Sequence, residues 1–176
     1  MIELLKENIS RLLISRKLKS HFISEHDFSE AFKRSGSFLI LMPEDEKDFR
    51  ASYVVLDYLE QVNKSLRILT RDYRISLLPA KYRNKATEFG VADLNRLELP
   101  THKMIEKLSK MKFDSVIDLN RKEDLFYSYA SNLVNSKTRI GFTKKGSDKY
   151  YNFQIANNDV DSNKSYNNFL NCLKMF

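Results

Sequence analysis

The sequence predicts an α/β fold: a single Rossmann-like doubly wound parallel sheet with an amphipathic N-terminal helix. Three observations carry this reading. Short apolar runs of strand length alternate with helix-length amphipathic segments, which implies right-handed βαβ units covered on both faces. The first run, Phe38-Leu39-Ile40-Leu41-Met42, is continuously apolar, the pattern of a strand buried on both sides. The 176 residues, 42% hydrophobic and 30% charged, suit one domain with at most an appendage, and 4 Gly with 3 Pro disfavour a turn-rich all-β fold.

The elements follow in order. Residues 1–36 read as a helical extension, with Ile2, Leu5, Ile9, Leu12 and Leu13 at helical spacing over Ile2 to Leu18 and a break at Ser35-Gly36. Residues 37–176 read as the Rossmann-like domain. Its strands are placed at Phe38–Met42, Ser65–Thr70, Ala86–Phe89, Phe113–Leu119, Thr138–Phe142 and, shorter, Tyr150–Ile155. Helices are placed at Glu46–Val62, Thr101–Met111, Glu123–Asn135 and Ser165–Phe176, with Thr101 or Pro100 starting the second. In such sheets ligands bind beyond the carboxyl ends of the strands, here Pro43–Asp48, Thr70–Tyr73, Asn120–Glu123 and Phe142–Lys145.

Charge is uneven around a net of +7. Residues 37–62 carry two Lys or Arg against six Asp or Glu, whereas residues 101–149 carry eleven against six. A basic surface suits phosphate, nucleic acid or anionic lipid, or is simply a solvated face. Several chemistries are excluded by missing motifs. There is no G-x-G-x-x-G and no P-loop, and the turn after the first strand, PEDEKD, would repel phosphate. No G-x-S-x-G or H-E-x-x-H occurs, and the single Cys172 excludes an internal disulfide. His21, His26 and His102 read as surface residues. No metal site and no cofactor are expected, and no apolar run reaches the ~20 residues of a membrane span.

The stretch FDSVIDLN, a helix, and then KTRIGF resembles the N-terminal domain of family-nine glycosyltransferases, the lipopolysaccharide heptosyltransferase family. In that family a YDLVIDLQ-like strand leads through a helix to an RIGF-like strand. LNRLELPTHKMIEKLSKMKFD and FLILMPEDEKDF fall where the family has its preceding helix and its first strand with the catalytic turn. The resemblance covers residues 38–153. It implies the acceptor-side half of a two-domain GT-B architecture, with the nucleotide-sugar domain missing. The family's general base matches Asp48, in Lys47-Asp48, although the glycine before it is absent. As one of several acids with Glu44, Asp45, Glu46 and Asp57, Asp48 equally suits a solvated helix start.

At the same edge, Asp118 and Asn120 are candidates to bind a sugar or phosphate, or to cap the helix that follows. Arg121, Lys122, Lys144 and Lys145 could gather there around an anionic group. Tyr150, Tyr151, Phe153, Tyr166 and Phe169 could stack bases or pin the last helix. The expected function is a half-protein in envelope glycolipid or polysaccharide synthesis, a binding or partner subunit without transferase activity of its own. The alternatives are an active glycosyltransferase completed by oligomerisation and a basic nucleic-acid-binding module, the latter disfavoured because no RNP-type strand or GXXG loop occurs. The expected partners are an anionic sugar or glycolipid, a second copy or a heterologous protein, and the surface of the inner membrane. The expected location is cytoplasmic.

Overall fold

The apolar runs become the strands of one six-stranded, all-parallel sheet. The computed structural model describes residues 2–17 and 28–176, with the side chains of residues 2–5 and 17 left aside. Helix α1 (Ile2–Lys17) and helix α2 (Phe28–Arg34) precede strand β1 (Ser37–Leu41). Helices α3 (Glu46–Ala51) and α4 (Tyr53–Gln61) lead to β2 (Ser65–Arg71), and α5 (Ala80–Arg83) to β3 (Ala86–Phe89). Then α6 (His102–Ser109), β4 (Ser115–Asp118), α7 (Leu125–Leu133), β5 (Thr138–Phe142), β6 (Phe153–Ile155) and α8 (Ser162–Lys174) complete the chain.

The strand order is β3-β2-β1-β4-β5-β6. The chain therefore runs outward from β1 in one direction, returns, and runs outward from β4 in the other. This is a doubly wound sheet whose switch point lies between β1 and β4, paired with Leu41 opposite Asp118. The period-2 geometry of β1 sends Phe38, Ile40 and Met42 to one core, shared with Phe49 of α3, Leu56 and Leu59 of α4, and Phe169 and Leu173 of α8. Leu39 and Leu41 face a second core with Met104 and Leu108 of α6 and Phe126 and Ala130 of α7. Phe32 of α2 belongs to the first core as well.

Helix starts are fixed by capping side chains. The Asp45 side chain accepts from Asp48 N at the start of α3, Thr101 from Met104 N at α6, and Asp161 from Lys164 N at α8. The cap at Asp161 starts the last helix three residues before the expected Ser165. The helix expected over Glu46–Val62 divides at Ser52, whose hydroxyl donates to Phe49 O at 2.8 Å.

Helix α1 lies on the molecule by a face other than the expected stripe. Ile14 is 1% exposed, whereas Ile9, Leu12 and Leu13 are 42%, 51% and 38% exposed. Two groups on the domain select the inward face. Leu99, Tyr129, Tyr150 and Tyr151 form a socket for Ile14, and the Leu97 carbonyl accepts from the Ser10 hydroxyl at 3.3 Å. Ion pairs from Lys6 to Glu98 at 2.7 Å and from Arg11 to Glu123 hold the helix along its length. The first part of the expected stripe (Ile2 and Leu5), the cations Lys17 and Lys19, and the histidines His21 and His26 lie outside the described residues or side chains. No helix among the described residues is long and apolar enough to cross a membrane.

Tyr151 packs flat over β5 because position 141 has no side chain. A Cβ on Gly141 would meet the Tyr151 ring at 3.1 Å. Gly141→Ala should therefore cost about 1–3 kcal/mol by overpacking. Gly36→Ala, whose Cβ would meet nothing nearer than 3.8 Å, should change stability by less than about 0.5 kcal/mol. Urea denaturation of both variants checks the contrast, and equal effects would refute it.

Candidate functional site

The carboxyl ends of the strands gather the residues expected there, and the structure divides them into two sets. The first set neutralises itself. Asp48 is buried and gripped by Arg121, with Nη2 to Oδ1 at 2.7 Å and Nε to Oδ2 at 3.0 Å. Ser162 Oγ donates to the same Oδ1 at 2.7 Å. Arg121 also donates to the Asp159 and Val160 carbonyls and to Ser165 Oγ. Both oxygens of Asp48 are occupied by a cation and a hydroxyl, so the carboxylate is held as an ion-pair partner, locking the start of α8 to α3. It is not the solvated helix-start acid of the other expectation.

Asp118 is likewise fully buried. It accepts from Asn120 N at 3.0 Å, Asn120 Nδ2 at 2.7 Å, Lys144 Nζ at 2.8 Å, and the Tyr151 hydroxyl. Lys144 further donates to the Asn120 carbonyl at 2.9 Å. Neither Asp118 nor Asn120 caps the following helix. Asp124 does, accepting from Phe126 N at 2.8 Å and Tyr127 N at 3.3 Å. Of the four expected cations, Arg121 and Lys144 are consumed by these pairs, and Lys122 and Lys145 are exposed. The aromatic set pins the fold. Tyr166 and Phe169 pack on Phe142, and Phe153 stacks on Phe28 at 3.6 Å between ring centroids.

The second set lines a crevice of about 410 Å³ at the switch point, between the ends of β1, β2 and β4, with α1 along its rim. Its acids are Glu7, Glu44, Glu98, Glu123 and Asp124, and its cations are Lys6 and Arg71. Arg71 pairs with Glu44 and lies over the Phe89 ring at 4.7 Å. Glu123 Oε1, on the crevice wall, is buried without a hydrogen-bond partner, and so is the hydroxyl of Tyr127, which lies within electrostatic reach of Asp124, Glu44 and Arg71. Buried polar groups are normally paired, so unpaired ones beside an open crevice mark places where something else can bond. Burial and the nearby Asp124 and Glu44 carboxylates raise the Tyr127 pKa well above its ordinary value. Among the described residues no group of three or more His, Cys, Asp or Glu is placed to hold a metal ion.

Asp124, Arg71 and Tyr127 were not singled out by the sequence. The usable signal was position: Arg71 and the acids before α7 fall on the strand ends that topology designates. A larger cavity, about 590 Å³, lies at the amino ends of the strands beside Asp114. There Asp114 Oδ2 already accepts from Gly36 N, Ser37 N and Ser37 Oγ, each at 2.9 Å, which closes the sheet edge.

Fold and crevice together define a Rossmann-like α/β protein with a polar crevice at its switch point. The chain belongs to a family of unknown function, DUF6913, which matches residues 6–176. No curated protein matches it.

Asp124 sits in the crevice at a cost. Burial, reinforced by Glu44, raises its pKa from 3.8 to about 6, outweighing the two backbone hydrogen bonds that favour the charge. Because the folded-state pKa is above the unfolded one, folding takes up a proton between pH ~4 and ~6, and stability falls as pH rises through that window. Asn caps a helix as well as Asp does. Asp124→Asn should therefore stabilise the protein by about 1–2 kcal/mol at pH 7.5, an advantage that disappears by pH ~4. Denaturant titration at the two pH values checks this; a variant less stable at pH 7.5 would refute the cost.

Proposed function

We propose that this protein is a small-molecule-binding Rossmann-like module without transferase activity of its own, and that its site is the switch-point crevice. One observation carries the reading: at the topologically designated edge the crevice has two buried polar atoms with no partner in the fold, Glu123 Oε1 on its wall and the Tyr127 hydroxyl close by. The resemblance to the acceptor-side half of family-nine glycosyltransferases supports the same edge as the ligand side. Against a transferase stands Asp48, the one residue matching the family's base, with both oxygens engaged by Arg121 and Ser162. A base must be able to reach the proton it abstracts.

Calorimetry and amide NMR with ADP-, GDP- and UDP-sugars test the transferase side. The expected result is no binding at micromolar concentrations and no hydrolysis. Micromolar binding of any of them, with turnover lost in Asp48→Asn, would overturn the proposal.

A second reading concerns α1, favoured by the outward placement of Ile9, Leu12 and Leu13 beside the exposed Arg16. Such a face suits peripheral contact with an anionic membrane surface, where each well-placed cation adds roughly 1 kcal/mol. Co-sedimentation with phosphatidylglycerol vesicles should weaken with salt. It should also fall at least tenfold when Ile9, Leu12 and Leu13 are replaced by Ser, with thermal stability retained because these side chains are exposed. Salt-independent binding, or binding indifferent to the replacement, would refute it.

A further inference from the structure

We propose that the switch-point crevice takes a small organic cation, an amine or guanidinium compound, seated between Glu44, Glu123 and Asp124. The inference rests on the reading of the crevice as the ligand site and names the chemistry of its occupant.

The first ground is charge. In a chain of net charge +7, this one crevice is lined by five carboxylates and two cations. Both cations are already engaged, Lys6 with Glu98 and Arg71 with Glu44. Arg11, which reaches in from α1, is divided between Glu7 and Glu123. Negative charge therefore remains in excess on the crevice wall.

The second ground is independent of that count. The Tyr127 side chain is fully buried and its hydroxyl has no partner, yet it lies within electrostatic reach of Asp124, Glu44 and Arg71, all of which line the crevice. Glu123 Oε1 is also unpartnered, its other oxygen being taken by Arg11. An ionised carboxylate only accepts hydrogen bonds, so Glu123 Oε1 calls for a donor. A tyrosine oxygen accepts as well as donates. An ammonium brings three donors and a guanidinium five, together with the opposite charge. A phosphate or carboxylate would bring only acceptors and add like charge; a neutral sugar would bring donors without offsetting the charge.

The wall also accommodates such a group already. The guanidinium of Arg71 lies over the Phe89 and Phe126 rings at 4.7 and 5.8 Å while pairing with Glu44. A volume of about 410 Å³ is within the range of small-molecule sites.

The test uses the full chain, calorimetry and amide NMR, with agmatine and spermidine as cationic probes, glucose as a neutral one and glucose 1-phosphate as an anionic one. At least one amine should bind saturably and move the amides of Glu44, Arg71 and residues 123–127. Glu123→Gln with Asp124→Asn, which keep shape and cap, should weaken it at least tenfold, while Glu30→Gln on the opposite edge leaves it unchanged. Glu123→Gln alone serves if the double variant does not fold. Asp124 faces Glu44, Asp118, Arg71, Tyr127 and Tyr151, with Lys6 and Glu7 on the rim; its protonation near pH 6 competes with the cation. Affinity should accordingly fall ~tenfold from pH 7 to pH 5. Amine binding indifferent to the double variant, or shifts confined elsewhere, would overturn the proposal. Glucose or its phosphate moving the crevice amides while the amines do not would overturn the cation and leave the crevice as the ligand site. Crevice amides that respond to none of the four would overturn both readings.

Discussion

The carboxylate of Asp118, fully buried at the carboxyl end of β4, dictates how this edge of the molecule is built. A buried charge left without partners is among the largest single penalties a fold can carry. Here it is met by one cation, one amide, one backbone N–H and one phenol. Each donor comes from a segment that must then lie close. Lys144 brings in the loop after β5, Tyr151 the segment before β6, and Asn120 the turn after β4. Tyr151 can take its place only because Gly141 leaves the surface of β5 bare. With Tyr150 and Tyr129 it then forms the socket that receives Ile14 of α1. The seating of the first helix thus traces back to the neutralisation of a single carboxylate some hundred positions along the chain.

The same accounting of charges separates scaffold from site. At the edge where the basic composition suits an anion, the well-placed cations are spent internally. Arg121 holds Asp48 and the start of α8, Lys144 holds Asp118, and Arg71 holds Glu44. Arg139, buried within β5, donates instead to the Ser131 and Val134 carbonyls at the end of α7, where a helix presents its negative pole. What the pairs leave over is a crevice of excess negative charge, opposite in sign to the molecule as a whole.

Much of the fold was legible in the sequence for local reasons. The runs at 86–89 and 138–142 match β3 and β5 residue for residue, β2 runs one residue further than expected and β1 lies one residue earlier, because continuous apolarity bounded by breakers is a local signal. The strand ends forming the carboxyl edge of the sheet followed from alternation alone. The seating of α1 did not. Its apolar count pointed to Ile9, Leu12 and Leu13, but the face was chosen by a tyrosine socket and a carbonyl that only tertiary structure assembles. Nor was the pairing of Asp48 with Arg121 legible, since the two are 73 residues apart and each alone resembles a solvated charge. Sequence placed these residues at the carboxyl edge of the sheet and could not say which would cancel one another.

The location of the crevice then needs no special device. β1 and β4 are neighbours whose following segments leave toward opposite faces, so the chain parts above them and a gap opens by topology. In this protein α1 runs along one side of that gap, tied by Lys6 to Glu98 and by Arg11 to Glu123, and the gap becomes a bounded crevice. Asp124 lines it for a separate reason: α7 needs an N-cap, and Asp124 supplies it. A capping aspartate is ordinarily more acidic than a free one, as Asp45 is, because the helix N–H groups favour its charge. Placed under α1 and beside Glu44, it becomes one whose ionisation is opposed by its surroundings. Asn at that position would cap α7 without the electrostatic cost, so capping alone does not account for a carboxylate there. The extra requirement that would account for it is a positively charged occupant.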